Sequence, residues 1–64
     1  MKRSDFERHL RNAGCRLERE GRRHSVWLNP ENGATAAVPR HLELKRNTVR
    51  QICNDLGVER PPGL

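Results

Sequence analysis

The chain has no tyrosine, one phenylalanine, one tryptophan, one methionine and two cysteines among its 64 residues. Nowhere does an apolar run approach the roughly 18–20 residues of a membrane-spanning helix. Met1-Lys2-Arg3 leads into Ser4-Asp5 rather than an apolar segment, so no secretory signal is expected. Cys15 and Cys53 stand 38 positions apart, in neither a Cys-x-x-Cys nor a zinc-ligand spacing. They are expected to be reduced thiols in a cytoplasm, acting as small hydrophobes. Carboxylates such as Asp5, Glu7 and Asp55 are scattered and suggest no metal set. A glycine-rich phosphate loop and a Ser-His-Asp arrangement are both missing. At this length the chain builds one domain and no more. Membrane protein, disulfide miniprotein, zinc finger and multidomain enzyme are all excluded as readings. Any catalysis is expected to proceed without a metal or other cofactor.

What the chain has in abundance is positive charge. Thirteen Lys and Arg oppose eight Asp and Glu, a net charge of +5 with neutral histidines and a pI near 10.6. A basic domain of this size attracts polyanions, of which nucleic acid is the commonest.

The hydrophobic pattern predicts five elements. Ser4 and Glu7 are spaced as a capping box, and Phe6, Leu10 and Ala13 follow at helical spacing, predicting a helix over 5–13 closed by Gly14. Residues 15–20 begin with apolar and charged residues in alternation, as in a half-buried strand, and Gly21-Arg22-Arg23 form a turn. Residues 24–29 are a second strand, rich in β-formers. Pro30-Glu31-Asn32-Gly33 reverses the chain, with Asn-Gly tolerating positive φ, and 34–38 return as a third strand stopped by Pro39. A short basic connection leads to Asn47, a natural N-cap. Val49, Ile52, Cys53 and Leu56 then line one face of a helix ended by Gly57. The expected organisation is a single domain over 1–58 and a frayed tail over 59–64. The expected fold is α+β: a three-stranded antiparallel sheet with both helices on one face, in a two-layer α-β-β-β-α arrangement.

Three histidines are the candidates for proton transfer near neutral pH, at positions 9, 24 and 41. His9 beside Phe6 reads as boundary packing, and His41 after Pro39-Arg40 as a connection residue or a phosphate ligand. His24 is the best placed, at a strand start directly after two arginines whose planar forks suit phosphate oxygens. The plain alternative is a surface histidine in a basic turn. Lys45 and Arg46 put positive charge at the positive end of a helix dipole, unfavourable for the helix and favourable for holding phosphate. Trp27 is a core residue by default, although it could stack on a base. Strand parity leaves two arrangements open. Either Val26 and Leu28 point inward and His24 escapes burial at the strand end, or Trp27 is the core residue and His24, Val26 and Leu28 share the open face. The second leaves an apolar patch for a partner.

Residues 4–57 resemble the HicA-type mRNA interferases, the toxin halves of bacterial and archaeal HicA–HicB toxin–antitoxin pairs. The resemblance rests on Ser4-Asp5-Phe6-Glu7, Gly14, Gly21-Arg22-Arg23-His24 and Val38-Pro39-Arg40-His41. It continues through the basic helix start to Val49-Arg50-Gln51-Ile52 and Leu56-Gly57. It implies a double-stranded-RNA-binding-domain-like fold and ribosome-independent endoribonuclease activity on mRNA. The histidine of the glycine motif, His24 here, is implied to be essential, and a HicB-like antitoxin is implied to cover it in multimeric complexes. The family usually has Ser directly after the motif glycine, where this chain has Arg22. On this reading His24 is the general acid or base, Arg22 and Arg23 stabilise charge on the phosphate, and Arg40, His41, Lys45 and Arg46 bind RNA. Two other readings stand beside it. One is a non-catalytic RNA- or partner-binding module on the same fold; the other is a DNA-binding domain that presents Arg50, Gln51 and Asn54 of its second helix.

Overall fold

A computed structural model describes all 64 residues. The order is α1 (Arg3–Asn12), β1 (Arg16–Glu20), β2 (His24–Asn29), β3 (Ala34–Pro39) and α2 (Arg46–Leu56). The strands form one antiparallel sheet in the order β1-β2-β3. Residues buried on β2 are Ser25, Trp27 and Asn29, and on β3 Ala36 and Val38. They join Phe6 and Leu10 of α1 and Val49, Ile52, Cys53 and Leu56 of α2 in a single buried layer. Both helices therefore lie on one face, as expected. No helix is long and apolar enough to cross a membrane.

The strand parity is resolved in favour of Trp27. Its indole is fully buried, and the residue opposite it on β3 is Ala36, small enough to leave room for the ring. The Arg11 guanidinium lies 5.3 Å from the ring centroid and adds a cation–π contact. His24, Val26 and Leu28 consequently occupy the other face. There Val26 and Leu28 are half-buried rather than fully exposed, with Arg19 and Arg16 as their cross-strand neighbours on β1. The two cysteines are free and buried, and burial pushes both thiols up from their ordinary pKa.

Three local expectations are corrected. The capping box does not form: α1 starts at Arg3, and Ser4 sits inside its first turn. The cap comes from distant chain, because the Arg3 N–H donates to the Leu42 carbonyl at 2.9 Å; just ahead of the helix the Met1 ammonium pairs with Glu43 at 2.8 Å. Glu7 lies 4.0 Å from Arg3 instead of reaching back to Ser4. At the other helix start, Asn47 is likewise not the cap, since α2 begins at Arg46. Strand β1 is exposed along its whole length and carries a bulge between Leu17 and Arg19. It is the sheet edge outside the helix layer, so only Cys15 just before it is buried. Residues 59–64 also make contacts with the domain. The His9 imidazole is hydrogen-bonded to the Glu59 carbonyl at 2.7 Å, Pro61 is buried, and Leu64 packs against the core.

The β2–β3 reversal is a four-residue loop in which Gly33 alone uses positive φ (75°). Asn32 contributes its side chain instead. Its Oδ1 accepts from the Ala34 N–H at 2.8 Å, and its Nδ2 donates to the Leu56 carbonyl at 3.1 Å. Buried Asn29 donates to the same carbonyl at 2.8 Å. Two asparagines thus satisfy a carbonyl left unpaired at the C-terminus of α2 and pin that helix to the hairpin. Gly57 closes α2 at φ 70°, and a Cβ there would lie 2.8 Å from the Asn32 amide. Gly57→Ala is therefore expected to cost about 1–3 kcal/mol, measured by denaturant unfolding. A change within experimental error would show that the hairpin does not hold the helix end.

Candidate active site

The loop between β1 and β2 is closed by the Gly21 N–H donating to the His24 carbonyl at 2.7 Å. A Cβ on Gly21 would stand 3.0 Å from that same carbonyl oxygen, so the close backbone approach, not an unusual φ, favours glycine. The turn presents Arg22 and Arg23 at its tip and starts β2 at His24. In the β2–β3 register His24 lies opposite Pro39. This brings the end of β3, with Arg40 and His41, alongside the loop. Arg22, Arg23, His24, Pro39, Arg40 and His41 line one hollow of about 550 Å³.

The cations in this hollow are not equivalent. Arg40 is committed to the loop: its guanidinium donates to the Gly21 carbonyl at 3.1 Å and lies 3.8 Å from Glu20. The Arg40 backbone N–H donates to the Arg23 carbonyl at 3.2 Å, and its carbonyl accepts from the Arg3 guanidinium at 2.6 Å. Glu20 in turn accepts from the buried Ser25 hydroxyl at 2.6 Å. Arg22 and Arg23 have no acidic partner within the chain. Their guanidiniums stand available to an anion, while Arg40 holds the frame. The His24 side chain is exposed and makes no hydrogen bond within the protein. An imidazole beside two unpaired guanidiniums can exchange a proton while charge on a neighbouring phosphate is stabilised.

Of the residues singled out from the sequence, the structure gathers Arg22, Arg23, His24, Arg40 and His41. Lys45 and Arg46 do not line this hollow; they are exposed at the start of α2. His9 lies in a different hollow with Asn12, Asn29 and Glu59. No three His, Cys, Asp or Glu side chains stand together as a metal ion would require.

On its other side, His24 shares a second hollow of about 370 Å³ with Ala37 and Pro39 of β3 and with Asn47, Thr48, Gln51, Ile52 and Asp55 of α2. Sequence reasoning did not assign these helix residues to the site. The signal was a stripe of non-basic polar residues at 47, 51 and 55, one helical turn apart and beside the buried stripe.

Removing the Arg40 side chain is expected to loosen the loop without unfolding the domain. Arg40→Ala should accelerate hydrogen exchange at the amides of residues 21–24 and cost less than about 1 kcal/mol, since the groups involved are half exposed. Unchanged exchange there would show that Arg40 does not restrain the loop.

Comparison with protein families finds one whose model matches residues 3–58, described as the HicA toxin of bacterial toxin–antitoxin. Comparison with curated proteins and with solved structures gives no match.

Proposed function

The chain belongs to the HicA toxin family of bacterial toxin–antitoxin systems, and from that premise we propose that it is an endoribonuclease that cuts mRNA without a metal ion, with His24 as its acid–base group. The observation that carries this reading is one hollow in which an exposed imidazole meets two unpaired arginines. RNA supplies its own nucleophile. His24 takes the proton from a ribose 2′-hydroxyl as that oxygen attacks the adjacent phosphorus. An O2′–P bond forms, the P–O5′ bond breaks, and the departing 5′-oxygen takes up a proton from the imidazolium. The products are a 2′,3′-cyclic phosphate and a 5′-hydroxyl. Arg22 and Arg23 neutralise the charge that builds on the non-bridging oxygens. His41 lines the same hollow and adds a hydrogen-bond donor to the phosphate. Arg40 keeps the loop in shape, and Lys45 and Arg46 contact the RNA backbone beyond the hollow.

A HicB-like antitoxin is the expected partner. The open face of the sheet suits it, with half-buried Val26 and Leu28 between Arg16, Arg19 and His24. A protein seated there covers the apolar pair and blocks the imidazole together.

Cleavage of RNA in EDTA by wild type and by His24→Ala tests the proposal. Loss of general acid–base catalysis is worth about 10²–10⁴ in rate, so the variant should be at least 100-fold slower. Its stability should stay within about 0.5 kcal/mol of wild type, because the replaced ring is exposed. Equal cleavage by both proteins contradicts the reading. Salt-sensitive RNA binding with no cleavage by either would leave a binding module instead.

A further inference from the structure

The second hollow beside His24 has no part in the chemistry above, yet it adjoins the imidazole directly. We infer that it is a base pocket that selects guanine at the nucleotide next to the scissile phosphate. The inference rests on the proposed nuclease reading for its context, but its recognition chemistry stands on the pocket's own residues.

Ala37 and Pro39 of β3 give the hollow an apolar wall, and Asn47, Thr48, Gln51 and Asp55 of α2 give it a polar one. Its volume of about 370 Å³ accommodates one base with room for its ribose. The Gln51 Nε2 donates to Asp55 Oδ1 at 2.9 Å. Such an i, i+4 pair is ordinary on a helix surface. What distinguishes this one is that both members line the hollow that contains His24. Because the Gln51 amide nitrogen is turned toward Asp55, the pair offers the hollow mainly acceptors: the Gln51 carbonyl oxygen and the second carboxylate oxygen. Two acceptors side by side favour a base edge that presents two donors. Guanine carries adjacent N1–H and N2–H donors that a carboxylate can accept together. The Watson–Crick edges of adenine, cytosine and uracil carry no two adjacent donors and leave one contact unmatched. Single-stranded RNA is read on that edge when its bases are splayed from the stack.

An independent feature places the pocket on the path of a strand. Asn47 and Gln51 also border a third hollow of about 500 Å³, whose other lining residues are Arg50, Asn54 and Arg60. Cations thus stand on both sides of the pocket: Arg22 and Arg23 beyond His24, and Arg50 and Arg60 beyond Gln51. A strand with its scissile phosphate in the first hollow and a base in the second finds positive charge for its next phosphate in the third.

The experiment maps cleavage positions on an RNA of random sequence for wild type and for Asp55→Asn, which keeps the side chain's size. Wild type should show guanine enriched roughly tenfold at one position flanking the cut, in the range a matched bidentate contact provides. Asp55→Asn should reduce that enrichment to less than threefold and redistribute cleavage among sites. No base preference in wild type, or a preference unchanged in the variant, overturns the inference. NMR titration of the His24→Ala protein with GMP, AMP, CMP and UMP reads the pocket without cleavage. GMP should shift the amides of Asn47, Gln51 and Asp55 at lower concentration than the other three. Equal responses to all four overturn the pocket, even if the nuclease activity holds. The expected GMP response from a chain that cuts no RNA would retain the pocket and refute the nuclease.

Discussion

Because a strand alternates its side chains between faces, the burial of Trp27 dictates the position of every other residue on β2. Its indole is the largest fully buried side chain in the protein, and burying a large apolar group contributes about 1.5–3 kcal/mol. A slip of one residue would expose the indole and drive His24, Val26 and Leu28 into the helix layer. Ala36 opposite Trp27, and Arg11 over its ring, favour the observed register further. The imidazole is thus exposed as a consequence of core packing nearby, and the two properties cannot be separated by substitution at Trp27.

The cationic loop works against folding. Two unit charges 4 Å apart in water interact by about 1 kcal/mol, and Arg22, Arg23 and Arg40 line a single hollow. The chain limits this cost by giving one guanidinium a structural task. Arg40 bonds to the Gly21 carbonyl and faces Glu20, which is itself held by Ser25 from the buried face. The loop is therefore shaped by the interior of the sheet, while Arg22 and Arg23 have no acidic partner within the chain. A bound phosphate would relieve the remaining repulsion and stabilise the domain by mass action.

Much of this was legible in the residues themselves. The core stripe of α2, the closing glycines and the order of elements follow from periodicity and turn chemistry, and so does the pairing of His24 with a basic turn. Where the expectations departed, long-range partners had replaced local ones. Ser4 and Glu7 have the spacing of a capping box, but the first helical N–H is capped by the Leu42 carbonyl, some forty positions away. Residues 59–64 show no periodicity, yet they dock because His9 and the core offer them contacts. Ala13, spaced to belong to the α1 stripe, is exposed beyond the helix end. The polar stripe at Asn47, Gln51 and Asp55 acquires its meaning only once α2 packs beside β3 and faces His24.

The central claim is that RNA meets the protein at the exposed imidazole of His24. Ring-proton NMR of the full chain, titrated with an RNA oligonucleotide made uncleavable by 2′-deoxy substitution, examines it most directly. The three histidines serve as reporters at three places on the surface. The account predicts that the His24 and His41 signals move together with bound RNA while His9, tied to the Glu59 carbonyl, stays in place. Movement of His9 with His24 unaffected would contradict it.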